Sequence, residues 1–217
     1  MNKELKKRII TSTFLLILLC LMFFYTYVLI ISLILIALIS WVEFYGLISK
    51  IYYRNKIKRF IFKSLSLIYL SLLVFGILYV VSNKPELKIF FVYSILVSIA
   101  SDIGGLIFGK LFKGKKLTKI SPKKTISGSA GSFIFAFGLI PFFIDQHINH
   151  EISTLLLITA LISLITQLGD LFISYIKRNA KVKDTSDLLP GHGGVLDRID
   201  GIIFAIPIGY LLLNYFQ

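Results

Sequence analysis

A carboxylate, a hydroxyl and two cations recur at helical spacing in one stretch of this chain. Asp170 is followed by Ser174, Lys177 and Arg178, which lie four, seven and eight residues on. At about 100° per residue these four share one helix face, while Leu171, Phe172 and Ile176 largely face elsewhere. Such a stripe suits a metal cation and phosphate oxygens; the plainer alternative is an ion-paired helix end. The chain continues through Asn179, Lys181, Lys183, Asp184 and Asp187 to Pro190-Gly191-His192-Gly193-Gly194-Val195-Leu196-Asp197-Arg198-Ile199-Asp200. Glycines around His192 let backbone N–H groups turn toward an anion as a nest. His192 itself can donate a hydrogen bond or carry charge near neutral pH. By itself Gly-His-Gly-Gly is only a flexible turn. Asp197 and Asp200, three apart at the start of a helix, can share a face and hold a hard divalent cation, as Mg²⁺ bound with substrate phosphates prefers.

A second basic loop runs from Lys113 through Lys115, Lys116 and Lys119 to Ser121-Pro122-Lys123-Lys124-Thr125. Ser121 before Pro122 reads as an N-cap with proline at the first helical position. That start would aim backbone donors, Lys123, Lys124 and Thr125 at one anion; a loop that meets anionic headgroups by charge alone is the alternative. Asp102, with Gly104, Gly105 and Gly109 after it, sits where a helix approaches this loop, and the glycines equally suit close helix packing. Ionisable groups inside membrane spans are costly, so Glu43, Asp102 and Asp170 are each functional candidates. Glu43, after Trp41 near a helix end, reads first as an interfacial anchor or a partner for the Lys50–Arg59 loop. His147 and His150, with only Asp145 and Glu151 at hand, read as part of a solvated loop rather than a metal site.

The elements that must position these groups follow from composition. Of 217 residues 56% are hydrophobic and 16% charged, whereas soluble domains carry about a quarter charged residues. Crossing a hydrocarbon core takes roughly 20 mostly apolar residues, which predicts an all-α integral membrane protein, a polytopic bundle of about seven transmembrane helices. Their expected places are Ile9–Phe24, Val28–Ile48, Ile61–Val81, Ile89–Leu111, Ser129–Ile144, Ile152–Ile176 and Ile199–Tyr215. The break between the first two rests only on Tyr25-Thr26-Tyr27. Of the 24 Lys and Arg, all but Lys84 and Lys88 fall before the first span, in Lys50–Lys63, in Lys110–Lys124 or in Lys177–Arg198. The positive-inside rule then puts the amino terminus and these segments in the cytoplasm and the carboxyl terminus outside. This placement, despite the net charge of +13, argues against a nucleic-acid partner. The first apolar run is longer than a signal-peptide core and is expected to be retained. Cys20, the only cysteine, excludes an internal disulfide and a cysteine metal cluster. One membrane-embedded domain over 1–217 is expected, with amino-terminal helices over 1–90 and a catalytic half over 91–217.

Ser174-x-x-Lys177-Arg178, Lys183-Asp184 and Pro190 through Asp200 resemble, almost throughout, the signature of the phosphatidate cytidylyltransferase family. Ser121-Pro122-Lys123-Lys124-Thr125 and Asp102-x-Gly104 resemble its second and third blocks. The resemblance covers the carboxyl-terminal half; the first three helices agree only in being hydrophobic. It implies transfer of CMP from CTP to phosphatidic acid, giving CDP-diacylglycerol and pyrophosphate, with Mg²⁺ required, a monovalent cation as a further candidate, and a homodimer in a bacterial inner membrane. It also implies Asp170 and Asp197 as metal ligands with Asp200 close by. Lys177 and Arg178 would bind phosphate and His192 would join the catalytic set. Asp102, Ser121, Lys123, Lys124, Thr125, Ser174, Lys183, Asp184, Gly193, Gly194 and Arg198 would line the substrates. The chain departs from the family where Ile126-Ser127 replace Trp-Glu, where Ile103 and Gly105-Leu106 replace Thr and Ala-Tyr, and where Ile173 replaces a glutamate. Two rivals are a CTP-dependent lipid alcohol kinase, which moves the γ-phosphate, and an ion-coupled transporter, which needs polar groups through the bilayer midplane.

Overall fold

The computed structural model describes residues 3–118, 120–144 and 151–216. The expected loop with Asp145, His147 and His150 falls outside these residues. Among the described residues the elements are helices, with no strand: α1 Lys3–Phe24, α2 Thr26–Ile51, α3 Lys56–Asn83, α4 Lys88–Phe112, α5 Ile126–Phe137, α6 Ile152–Asn179, α7 Leu196–Ile199 and α8 Ile202–Tyr215. Tyr25 alone separates α1 from α2, in an extended conformation with φ −118° and ψ 111°, so the weak Tyr-Thr-Tyr break is a real boundary. Asn55 starts α3 by accepting a 2.9 Å bond from the Lys58 N–H, satisfying one donor that the first helical turn leaves open.

Five helical stretches are long and apolar enough to cross a membrane, ending at Phe24, Ile51, Asn83, Phe112 and Asn179. The two other expected spans are shorter than predicted. Ile126–Phe137 has 12 residues and is followed, after Gly138 and Leu139, by a single 3₁₀ turn at Ile140–Phe142; Pro141 lacks the N–H needed to continue an α-helix. The last span is broken at Asp200–Gly201, so that α7 is one turn and α8 has 14 residues. A Cβ at Gly201 would come 2.6 Å from the Thr166 carbonyl oxygen, a contact only glycine allows.

The chain forms two compact units, Met1–Leu78 with Ile176–Ile199, and Tyr79–Tyr175 with Asp200–Gln217. In the first unit Leu47 packs with Ile176 and Ala180, joined by Phe44, Ile51 and Val182. The Trp41 indole donates a 3.2 Å bond to the Lys63 carbonyl, and the Lys63 ammonium stands 3.0 Å from the Tyr45 ring centroid, a cation–π contact typical of a helix end at a membrane surface.

In the second unit α4 meets α5 through glycines. A Cβ at Gly104 would lie 2.7 Å from the Phe135 Cβ, and one at Gly128 would lie 2.8 Å from the Gly105 carbonyl oxygen. Small residues here let two backbones approach, which in lipid replaces the missing hydrophobic drive. Between α4 and α6 runs a ladder of buried hydroxyls. Tyr93 pairs with Thr159 at 2.5 Å, Ser98 with Thr166 at 2.9 Å and Ser101 with Ser163 at 2.9 Å. Gln167 of α6 extends it, donating to Ser163 at 3.3 Å and accepting from Ser129 of α5 at 2.5 Å.

Candidate active site

In the first unit α6 ends at Asn179 and the chain reverses through Lys181, which takes a left-handed φ of +58°. The segment that follows folds around two carboxylates. Asp197 accepts a 2.6 Å bond from the Lys177 ammonium on Oδ1; on Oδ2 it accepts from the Thr185 N–H at 2.8 Å, the Thr185 hydroxyl at 2.9 Å and the Gly194 N–H at 3.0 Å. Burial works against the charge, but the Lys177 bond, the Thr185 and Gly194 N–H groups and the Lys177 charge together hold the Asp197 carboxyl below the usual range. Lys177 is itself buried. The nest expected at the glycines is therefore partly occupied from within, since the Gly194 N–H points at Asp197.

Glu43 is the second carboxylate and the residue whose role the sequence concealed. It is buried on α2 and accepts four bonds, from the Thr185 hydroxyl at 2.9 Å, the Ser186 hydroxyl at 2.6 Å, and the Val195 and Leu196 N–H groups at 3.0 and 2.8 Å. Its partners are neutral donors far along the chain, so the expectation of a basic-loop partner is corrected. Only the cost of a carboxylate in an apolar helix signalled it. Thr185 bridges the two carboxylates, and a Cβ at Gly194 would meet both the Thr185 hydroxyl and Glu43.

The turn at His192 is closed by bonds from the Leu189 N–H to the Gly193 carbonyl and from the His192 N–H to the Leu189 carbonyl, both 2.8 Å. Gly191 and Gly193 adopt φ of +77° and +81°, which explains glycine at these two positions. The Arg198 guanidinium donates twice to the His192 carbonyl, at 3.0 and 2.5 Å. Asp184 sits next to Asp197 across Gly193, where a Cβ would lie 3.3 Å from Asp184 Cβ and 2.9 Å from Asp197 Oδ2. Lys177 and Arg178 part company: Lys177 reaches Asp197, whereas exposed Arg178 donates to the Val182 carbonyl at 3.2 Å. The expected stripe is thus divided.

In the second unit the Lys124 ammonium pairs with Asp170 Oδ2, and Ser174 donates to Asp170 Oδ1 at 3.3 Å. The basic loop thus meets the α6 carboxylate Asp170, whereas the sequence places Asp102 nearest to it. The start of α5 differs from expectation too: its cap is Thr125, whose side chain accepts from the Gly128 N–H at 3.0 Å, while Ser121 to Lys124 form a turn closed by a 3.0 Å bond from the Lys124 N–H to the Ser121 carbonyl. Proline at the second position suits a type I or II turn as well as a helix start. Ser127, one of the departures, accepts from the Gly114 N–H at 3.2 Å and so ties the loop closed. Lys123 is exposed, as is Asp102 on α4. Asp200 accepts from the Gly201 N–H at 3.0 Å. Its backbone lies against Gly169, the residue before Asp170, where a Cβ would be 2.9 Å from the Asp200 carbonyl oxygen.

Among the described residues no group of three or more His, Cys, Asp or Glu is arranged to hold a metal ion. The carboxylates present are of the hard-oxygen type that Mg²⁺ takes when it arrives with phosphates. Asp170 and Asp197 each carry a lysine ammonium as counter-charge, and Mg²⁺ commonly takes one or two carboxylates and completes its shell with phosphates and water.

The model of the Cytidylyltransferase family matches residues 1–216. Several curated relatives bear the name phosphatidate cytidylyltransferase. That of Staphylococcus haemolyticus (strain JCSC1435) is 41% identical over 143 residues, 64% of this chain and 54% of the relative. That of Rickettsia prowazekii (strain Madrid E) is 42% identical over 145 residues, 62% and 60% respectively. That of Rickettsia conorii (strain ATCC VR-613 / Malish 7) is 45% identical over 122 residues, 52% and 53%. The chain spans about half the length of the curated relatives it matches.

Proposed function

The chain belongs to the cytidylyltransferase family, and from that premise we propose that it transfers CMP from CTP to phosphatidic acid, yielding CDP-diacylglycerol and pyrophosphate. The observation that carries this reading is the pair of lysine–carboxylate contacts, Lys124 with Asp170 and Lys177 with Asp197, on motif residues that resemble the family's own. A phosphate oxygen of phosphatidic acid attacks the α-phosphorus. The bond from that phosphorus to the bridging oxygen breaks, and pyrophosphate leaves with the electron pair. A phosphate monoester is largely ionised near neutral pH, so no strong base is needed, and positioning and charge stabilisation do the work. Asp170 and Asp197 would hold Mg²⁺, with Asp200 beside Asp170; the chemistry that ion would supply when bound is neutralisation of phosphate charge. Lys123, Lys124, Lys177, Arg178, Lys183 and Arg198 bind phosphate oxygens, and His192 offers a hydrogen bond. Asp102, Ser121, Thr125, Ser174, Asp184, Gly193 and Gly194 shape the walls.

The reading includes seven crossings, with the 126–142 stretch and α8 added to the five long helices, a cytoplasmic amino terminus and active site, one domain over 1–217 with its catalytic half in 91–217, a bacterial inner membrane and a homodimer. Its orientation is supported by the 3.0 Å bond from the Thr11 hydroxyl to the Pro190 carbonyl, which keeps the basic start of α1 on the same side as the 183–198 segment. The test uses purified protein, phosphatidate vesicles and CTP labelled at the α or the γ phosphate. Lipid should gain only the α label, and only with Mg²⁺; γ label in lipid, or no lipid label at all, overturns the assignment.

A further inference from the structure

The basic start of α1 belongs to none of the family-like motifs, yet the first unit brings it onto the His192 turn. Thr11 donates to the Pro190 carbonyl at 3.0 Å, Ser12 shares a 3.1 Å bond with His192 Nε2, and a Cβ at Gly191 would lie 2.9 Å from the Arg8 side chain at Cγ. These contacts fix α1 as one wall of a cleft of about 750 Å³ whose lining includes Lys7, Arg8, Lys183, Arg198, Asp184 and Asp187. That volume lies within the roughly 300–1,000 Å³ of small-molecule sites. Four cations from two chain segments, the start of α1 and 183–198, face two carboxylates, so the cleft favours an anion, and one long enough to touch both segments.

We infer that Lys7 and Arg8 complete a binding site for a polyphosphate chain, which under the reading above, on which this rests, is the triphosphate of CTP. Arg8 presents a planar fork suited to two phosphate oxygens, and Lys7 a point charge beside it. The 183–198 segment then supplies one wall and α1 the other. Phosphate monoester at a lipid headgroup shares this chemistry, and the test separates the two sources.

The double variant Lys7→Gln with Arg8→Gln is compared with Lys6→Gln with Lys58→Gln, which removes the same charge from exposed sites outside the cleft. Detergent-solubilised proteins are titrated with inorganic pyrophosphate, with CTP, and with phosphatidate in mixed micelles. The cleft variant should bind pyrophosphate and CTP about tenfold more weakly than the control, a loss expected for two exposed ion pairs, with phosphatidate binding unchanged. Lys7→Arg with Arg8→Lys, which keeps both charges, should restore most of it. Equal affinity of cleft variant and control for pyrophosphate and CTP, or a loss confined to phosphatidate, overturns the inference. If pyrophosphate and CTP bind as stated but α label never enters lipid, the transferase reading fails while this site stands. If lipid is labelled with an unchanged KM for CTP in the cleft variant, the site fails while the reading stands.

Discussion

Asp197 shows how the fold holds one buried carboxylate charged. Burial raises the cost of its charge, and four donors more than offset that cost. Because its folded pKa lies below the unfolded value, the stability it contributes is present above the ordinary carboxylate range near ~4 and is lost as pH falls through the lower folded value. The thermal midpoint of the wild type should therefore fall toward that of Asp197→Asn as pH drops from about 6 to about 3. A gap between the two that stays constant over this range contradicts the linkage. Near neutral pH Asp197→Asn should also abolish lipid labelling, while inserting in the membrane. Glu43 tests a different point, because it touches four donors and no cation. Glu43→Gln turns an amide donor toward other donors and should cost about 2 kcal/mol of stability, read as a lower denaturation midpoint; an unchanged midpoint would show that the 185–196 segment is held without it. The glycine turn at His192 could be read from sequence because spacing within one segment carries it. Glu43 could not, since its partners lie more than 140 positions away and nothing local names them.

At the scale of elements, apolar runs predicted where helices lie but not how they end or pack. Gly104, Gly105 and Gly109 read equally as site or packing residues, and the close approach of Gly104, Gly105 and Gly109 to α5 assigns them to packing. The Ser121 cap failed for a reason of the same kind: Ser-Pro starts a turn or a helix equally well, and Thr125, four residues on, caps the helix by accepting from the Gly128 N–H. Glycine substitutions separate packing from mere helix content. Gly131→Ala drives a Cβ into Phe108 and the Gly104 carbonyl and should destabilise by about 1–3 kcal/mol, as overpacking does. Gly76→Ala meets nothing within 4 Å and should stabilise by about 0.5–1 kcal/mol through helix propensity. Chemical denaturation in mild detergent measures both; the same sign for the two would mean that the α4–α5 glycines are not an interface.

For the whole molecule the ruling constraint is where charge sits relative to lipid. Long helices such as α2 and α3 fully bury few of their apolar side chains, which is stable only if hydrocarbon replaces water. Basic residues at Lys50–Lys63 and Lys84 mark the two ends of α3, and the proposed orientation has the former in the cytoplasm and the latter outside. Cys20, the sole cysteine, makes this directly measurable. In a Cys20→Ser background, Lys58→Cys and Lys84→Cys each introduce one thiol at an exposed position at or near an end of α3. A membrane-impermeant maleimide added to intact cells should modify the position-84 thiol and spare the position-58 thiol until the membrane is opened. Because the Thr11–Pro190 bond ties the start of α1 to the 183–198 segment, a thiol at Lys183→Cys should behave like the one at position 58. Labelling of position 58 or 183 from outside would overturn the proposed orientation and, with it, the proposed access of cytoplasmic CTP to the carboxylates.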